Sequence, residues 1–270
     1  MDLNTPKVMG ILNITPDSFY DGGKFREEKS VLDQVRKMLE EGADLIDVGG
    51  YSSRPGAVDI PEEEEASRVL PVIQLILKNF PNTILSIDTF RSGIARKAIG
   101  EGALMINDIS GGEMDPRMFD AVATLKVPYI LMHMRGSPQT MTTLMDYADI
   151  TKDLTDYFHK KVYQLHQAGV KDIILDPGFG FAKAGDQNFE LLNQLDHFKI
   201  LGLPILAGLS RKSLIWRTLG IDAGGALTGT IALNTVALLK GASILRVHDV
   251  KEAVECIKLV SRLLSLHASN

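Results

Sequence analysis

The sequence predicts a (β/α)8 barrel, and three observations carry that prediction. Short β-rich apolar runs recur eight times, each is followed by a longer amphipathic stretch, and nearly every run ends in polar residues. Strict strand–helix alternation implies parallel strands joined by right-handed crossovers. The 270 residues accommodate eight such units as one domain, 1–270, close to the roughly 250 residues usual for this architecture.

The expected strands are 8–14, 45–50, 84–89, 105–110, 129–134, 173–178, 204–210 and 244–250. Between them lie helical patterns. In 30–41, Val31, Val35, Met38 and Leu39 fall on one stripe; in 150–167 the stripe is Ile150, Leu154, Tyr157, Phe158 and Leu165. Gly42, Gly102, Gly169 and Gly241 each sit between a helical run and a strand, where glycine ends helices. Pro61 followed by four glutamates, Glu62 to Glu65, reads as a helix start whose acids are solvated. The competing fold is a doubly wound open sheet. Its G-x-G-x-x-G fingerprint is missing after the first strand, where Gly10 precedes Ile-Leu-Asn-Ile-Thr-Pro, and Gly178-Phe179-Gly180 is only a lone G-x-G.

Composition excludes several function classes. A net charge of −5 offers no nucleic-acid or anionic-membrane footprint. The single cysteine, Cys256, cannot form an intrachain disulfide, which fits a reducing compartment. Residues 1–7 lack the basic and apolar regions of a signal peptide, and no apolar run approaches the ~18 residues of a membrane helix. The expected location is therefore the cytoplasm.

Polar residues ending the strands of a barrel point to a site, because the bore beneath them is packed with apolar side chains. Here the strand ends carry Asn13; Gly49 to Gly56; Asp88; Asn107-Asp108; Asp176-Pro177-Gly178; Ser210-Arg211-Lys212-Ser213; and Arg246-Val247-His248-Asp249. Any one of them could be a turn former or helix cap; seven on one rim are harder to dismiss. Arg246 and His248, two apart, can share a face. Ser210 to Ser213 sit where a helix begins, so free N–H groups beside Arg211 and Lys212 form a candidate anion site. Asp88, Asn107 and Asp176 offer acceptors for the N–H edge of a flat heterocycle. The rim thus reads as two halves, one for a nitrogen heterocycle and one for phosphate.

These segments resemble those of a known family. Residues 13–23 (Asn-Ile-Thr-Pro-Asp-Ser-Phe-Tyr-Asp-Gly-Gly) and 47–56 (Asp-Val-Gly-Gly-Tyr-Ser-Ser-Arg-Pro-Gly) are similar to the first two signatures of dihydropteroate synthases. Ser86 to Thr89, Ile106 to Ile109, Leu131 to Met134, Asp176 to Phe181, Ser210 to Lys212 and Arg246 to Val250 resemble the later ones, in order. The resemblance implies a transferase of folate biosynthesis. A (7,8-dihydropterin-6-yl)methyl diphosphate loses diphosphate to the amine of 4-aminobenzoate and gives 7,8-dihydropteroate, with Mg2+ as cofactor, in a homodimer inhibited by sulfonamides.

Carried over by position, the resemblance implies that Asp88, Asn107, Asp176 and Lys212 hold the pterin, with Met132 and Phe181 against its ring. Asn13 would place Mg2+ on the diphosphate. Ser53, Arg246 and His248, with Val247 between them, would line the phosphates. Asp17, Ser18, Phe19 and Arg54 would close over the site, and Arg211 and Ser213 would border the aminobenzoate. The catalytic candidates are Asp17, Asp88, Asp176 and Lys212. One departure stands out: Tyr51 replaces the usual glutamate of the second signature, and Ser53 replaces threonine with the hydroxyl kept.

Bland readings cover the rest. His133, one residue from Met132, should face the helices; His159, His166, His197 and His267 fall on helices. A non-catalytic pterin-binding paralogue, a pterin-dependent methyltransferase barrel and a phosphate-binding isomerase remain alternatives. The Ser-Arg-Lys and Arg-Val-His anion groups argue against the methyltransferase. The intact Asn13, Lys212, Arg246 and His248 argue against a silent paralogue, and the lack of an acid–base pair argues against the isomerase.

Overall fold

In a computed structural model, which describes residues 2–14, 24–54 and 56–267, eight strands alternate with helices. The strands are β1 (Lys7–Asn13), β2 (Leu45–Gly49), β3 (Ile84–Asp88), β4 (Met105–Asp108), β5 (Tyr129–Met132), β6 (Ile173–Asp176), β7 (Leu206–Ala207) and β8 (Ile244–Val247). The helices are α1 (Lys24–Glu41), α2 (Glu62–Asn79), α3 (Ser92–Gly100), α4 (Met118–Leu125), α5 (Ile150–Gln167), α6 (Gly185–Asn193), α7 (Ser213–Leu219), α8 (Leu227–Leu239) and α9 (Val250–His267). All strand pairs are parallel, in the order β6-β5-β4-β3-β2-β1-β8-β7. A bridge between Leu175 and Ile205 joins the two outer strands, Leu175 N donating to Pro204 O at 2.9 Å. The expected barrel is the observed fold.

Strand alternation sorts the core into two shells. Met9, Leu45, Met105, Ile130, Ile174, Leu206 and Ile244, with Ile84 beside them, fill the lower bore as an apolar floor. Their neighbours, such as Val8, Ile46, Leu85, Ile106, Leu131, Leu175 and Leu245, face outward and pack under the helices. The stripe of α1 buries Val31, Val35 and Met38; that of α5 buries Ile150, Leu154, Phe158 and Leu165. The four expected helix-ending glycines all hold positive φ, from 88° at Gly169 to 108° at Gly102, a backbone that glycine adopts without penalty.

The structure differs from expectation in three places. The strands stop short of their expected ends, β7 most of all. There the chain turns out of the sheet to reach Arg211, whose φ is +52°. Ser213 is the first residue of the seven-residue α7, and Lys212 occupies its cap position with no side-chain cap, so neither serine caps that helix. Of the four glutamates that open α2, Glu65 is fully buried rather than solvated. It accepts from the Thr89 hydroxyl at 2.6 Å and pairs with Arg91.

Candidate active site

Directly above the apolar floor, one pleat further along the strands, the bore turns polar. Asp47 follows Leu45 by two residues, Ser86 follows Ile84, Asn107 follows Met105, Asp176 follows Ile174 and Arg246 follows Ile244. All but Arg246 are buried. Asp47 Oδ2 accepts from Asn107 Nδ2 at 2.8 Å and from Arg246 Nε at 2.7 Å. The other limb of the guanidinium, Nη2, donates to Asp88 Oδ2 at 2.7 Å. Arg246, expected from sequence to face the phosphates, thus pairs here with the acids of the mouth. Its planar fork matches two carboxylates at once, and they hold its pKa above the arginine range although burial works against the charge. Burial pushes the Asp88 carboxyl up to about 7 against the pull of Arg246, and Asp47 adds to the rise.

Three buried side-chain atoms in this layer, Asp47 Oδ1, Ser86 Oγ and Asn107 Oδ1, have no hydrogen-bond partner among the described residues. A buried polar atom without a partner costs about 1–3 kcal/mol, so a layer carrying three of them suits a ligand that brings donors. Asp47 is the residue that sequence reading missed. A lone acid at an inward position of an otherwise apolar strand was the available signal, since a buried charge must find a partner.

Asp176 and Lys212 meet beside this layer. Asp176 Oδ1 accepts from Gly178 N at 2.7 Å. Burial raises its pKa, opposed first by the Lys212 charge. Lys212 Nζ donates to Phe179 O and lies 4.7 Å from the centre of the Phe181 ring. Burial draws the Lys212 ammonium down to about 8, with Asp176 pulling the other way. Asp108, by contrast, faces outward and takes the bland role. It accepts from Ser110 N and Oγ, Gly112 N and the Tyr129 hydroxyl, and so ties down the loop after β4.

The wall above Asp176 is apolar. Met132, Tyr51, Phe90, Ile109, Met134, Met141 and Ala182 form one buried cluster, with Phe181 packed against it. Tyr51 stands edge-on to Phe90, ring centres 5.0 Å apart, and its hydroxyl accepts from Gln139 Nε2 at 3.0 Å. The residue that departs from the signature is thus part of this wall. His133 faces away from it, as its phase requires, with its ring against Tyr157 at 4.7 Å.

The rim carries the remaining candidates. His248 Nδ1 lies 3.0 Å from Ser210 Oγ, which itself accepts from His248 N at 3.1 Å. His248 is exposed at the rim, yet desolvation by the groups around its ring draws it down to about 4, with Arg246 adding to the fall and Arg54 near enough to contribute. Ser53 is half-buried and Arg54 exposed in the loop after β2, and Asn13 is half-buried at the end of β1.

Two candidates are engaged elsewhere. Arg211 makes a bidentate pair with Asp249, at 2.8 Å on both limbs, and donates to the carbonyls of Ala223 and Gly224. Val247 points into the helix-facing core, as any residue next to an inward Arg246 must, so only its backbone can meet a ligand. Ser213 is half-buried at the start of α7. Asp17, Ser18 and Phe19 lie outside the described residues.

A family model described as pterin binding enzyme matches residues 9–248. The dihydropteroate synthase of Escherichia coli K12 is 41% identical over 267 residues, covering 98% of this chain and 94% of the relative. The chain belongs to the dihydropteroate synthase family. Among solved structures of the family, the Yersinia pestis enzyme in a sulfonamide drug complex aligns with a TM-score of 0.92 at 39% identity, covering 98% of this chain and 96% of the other. The Xanthomonas albilineans enzyme with 4-aminobenzoic acid aligns at 0.91 and 38% identity, over 98% and 95% of the two chains. The same enzyme has also been solved in complex with 7,8-dihydropteroate.

Proposed function

We propose that this dihydropteroate synthase family member joins (7,8-dihydropterin-6-yl)methyl diphosphate to 4-aminobenzoate. The C–O bond to diphosphate breaks, a C–N bond to the aromatic amine forms, and the amine gives up a proton. The observation that carries the reading is the bore layer of Asp47, Asn107, Asp176 and Arg246, topped by Asp88 and flanked by Lys212, on a family-wide fold. Carboxylates and a carboxamide above a dry floor suit the N–H edge of a pterin, and the Met132–Phe181 wall suits its face.

No acid–base dyad is required, because diphosphate is a good leaving group. Carboxylates held against the pterin favour its electron-poor state, so positive charge can build on the exocyclic methylene before the amine arrives, an SN1-like course. Lys212, whose Nζ is steered by Phe179 O, anchors the ring beside Asp176. His248, Ser53 and Arg54 stand where they would face the departing phosphates.

The donor set fits Mg2+. The Asn13 carboxamide is a hard oxygen ligand that makes no hydrogen bond to another described residue. No group of three or more His, Cys, Asp or Glu among the described residues could hold a metal by itself. One protein oxygen with substrate phosphates is a usual Mg2+ arrangement. When bound, Mg2+ would neutralise charge on the leaving diphosphate.

Three further readings go with this function. Sulfonamides would compete for the aminobenzoate position. A homodimer is supported by exposed apolar residues on adjacent helices: Val236 and Leu239 on α8, with Leu259, Leu263 and Leu266 on α9. No helix among the described residues is long and apolar enough to cross a membrane; the lone buried Cys256 supports a cytoplasmic location. The deciding experiment mixes purified protein with the pterin diphosphate, 4-aminobenzoate and Mg2+. Dihydropteroate and diphosphate should appear together; tight pterin binding without product would leave a silent pterin-binding paralogue instead.

A further inference from the structure

Lys183 is buried, with 5% of its surface exposed, and the chemistry above does not use it. Its Nζ lies 2.9 Å from Gly178 O, 2.9 Å from Phe181 O, 3.3 Å from His133 O and 3.1 Å from His133 Nδ1. Burial draws the Lys183 pKa well below the lysine range, and even as a neutral amine its Nζ has two protons to give to the three carbonyls and the imidazole nitrogen around it. Burial keeps the His133 ring neutral, so Nδ1 can accept. A methionine would fill the same space without donors, so the value of the lysine lies in them.

What those donors hold is the loop between β6 and α6. Three of its residues take left-handed backbone, Gly178 at φ +69°, Gly180 at +79° and Ala182 at +48°. Such a path persists only where its surroundings fix it. From one side Asn188 Oδ1 accepts from Gly180 N at 2.6 Å; from the other Lys183 collects the carbonyls. The loop carries the Gly178 N–H that fixes Asp176, the Phe179 carbonyl that receives Lys212, and the Phe181 ring beneath its Nζ. The contact to His133 O fastens the same loop to the end of β5, where His133 N donates to Asp176 O at 3.0 Å.

We propose that Lys183 is the positioning residue of the heterocycle half of the site: by gathering the carbonyls of Gly178, Phe181 and His133 it sets the loop that holds Asp176 and Lys212 in register for the pterin. The proposal rests on the pterin reading given above. It separates the two halves of the site, because Ser53, Arg54 and His248 stand on other loops.

The test measures two ligands by calorimetry on the whole chain: the pterin alcohol, which lacks the diphosphate, and inorganic diphosphate with Mg2+. Lys183→Met should weaken the pterin alcohol by about tenfold or more, the worth of the one or two hydrogen bonds removed. It should leave diphosphate affinity within about twofold, since no donor on that side is removed. Lys183→Gln, which keeps two donors but no charge, should lie between Met and wild type, and decides the matter if the methionine variant does not fold. Equal weakening of both ligands, or unchanged pterin affinity in a folded variant, overturns the proposal. A wild-type protein that binds no pterin alcohol would instead overturn the functional reading itself.

Discussion

Asp176 and Lys212 illustrate how much a single group in this bore can control. Asp176 is buried, takes one backbone N–H, and faces Lys212. Asp176→Asn keeps the shape but removes the charge, and should cost about 3 kcal/mol of transition-state stabilisation, by the scale of a lost preorganised group. Lys212→Ala should behave likewise. Both should lower turnover far more than they lower the melting temperature; near-normal turnover in a folded Asp176→Asn protein would remove the pterin anchor from the mechanism.

Acidity gives a second check at the same scale. With the Asp88 carboxyl pushed up to about 7, lowering the pH protonates it and removes an acceptor. With Lys212 drawn down to about 8, raising the pH removes its charge. Affinity for the pterin alcohol should therefore peak between these values and fall on both sides. Asp88→Asn should abolish the acid limb and leave the alkaline one, as a titration of binding against pH would show.

At the scale of elements, what was legible in the sequence was whatever a two-residue or 3.6-residue period could carry. The inward phase of Asn107, Asp176 and Arg246 follows from the apolar residue two positions before each. The stripes of α1 and α5 follow from their leucine, valine and phenylalanine spacing. Less legible was anything decided by partners distant along the chain. Arg246 meets Asp47, 199 residues away, and Asp88, 158 residues away, so the strand pattern could show its direction but not its company. The Arg211–Asp249 pair and the contact of Lys183 with His133 O have the same character.

The loop after β6 also yields a prediction. A Cβ on Gly178 would stand 2.2 Å from His133 O, in a backbone at φ +69°. Gly178→Ala should destabilise the chain by more than about 2 kcal/mol, since left-handed strain and a backbone clash combine. It should also weaken the pterin alcohol, because Asp176 is held through Gly178 N. A denaturant melt close to that of the wild type would contradict this.

For the molecule as a whole, the proposed dimer would use the outward faces of α8 and α9. Leu259 is 74% exposed and Leu263 48%, an unusual investment of leucine in solvent for a helix otherwise packed on one side. The pair Leu259→Glu and Leu263→Glu should convert a dimer to a monomer in sedimentation velocity while the barrel keeps its melting temperature. A wild-type protein that sediments as a monomer at micromolar concentration would end the dimer proposal.

The arginine of β8 has a consequence for how the barrel is completed. Asp47 and Asp88 stand on β2 and β3, early in the chain, while the guanidinium that neutralises them comes from the last strand. Until β8 is in place those acids lack their counter-charge, and stranding one partner of a buried pair costs about 3–5 kcal/mol. An unfinished barrel is therefore electrically unbalanced at its mouth. The arrival of the final strand both seals the wall beside β1 and discharges that imbalance, so the same arginine that furnishes the site also rewards closure.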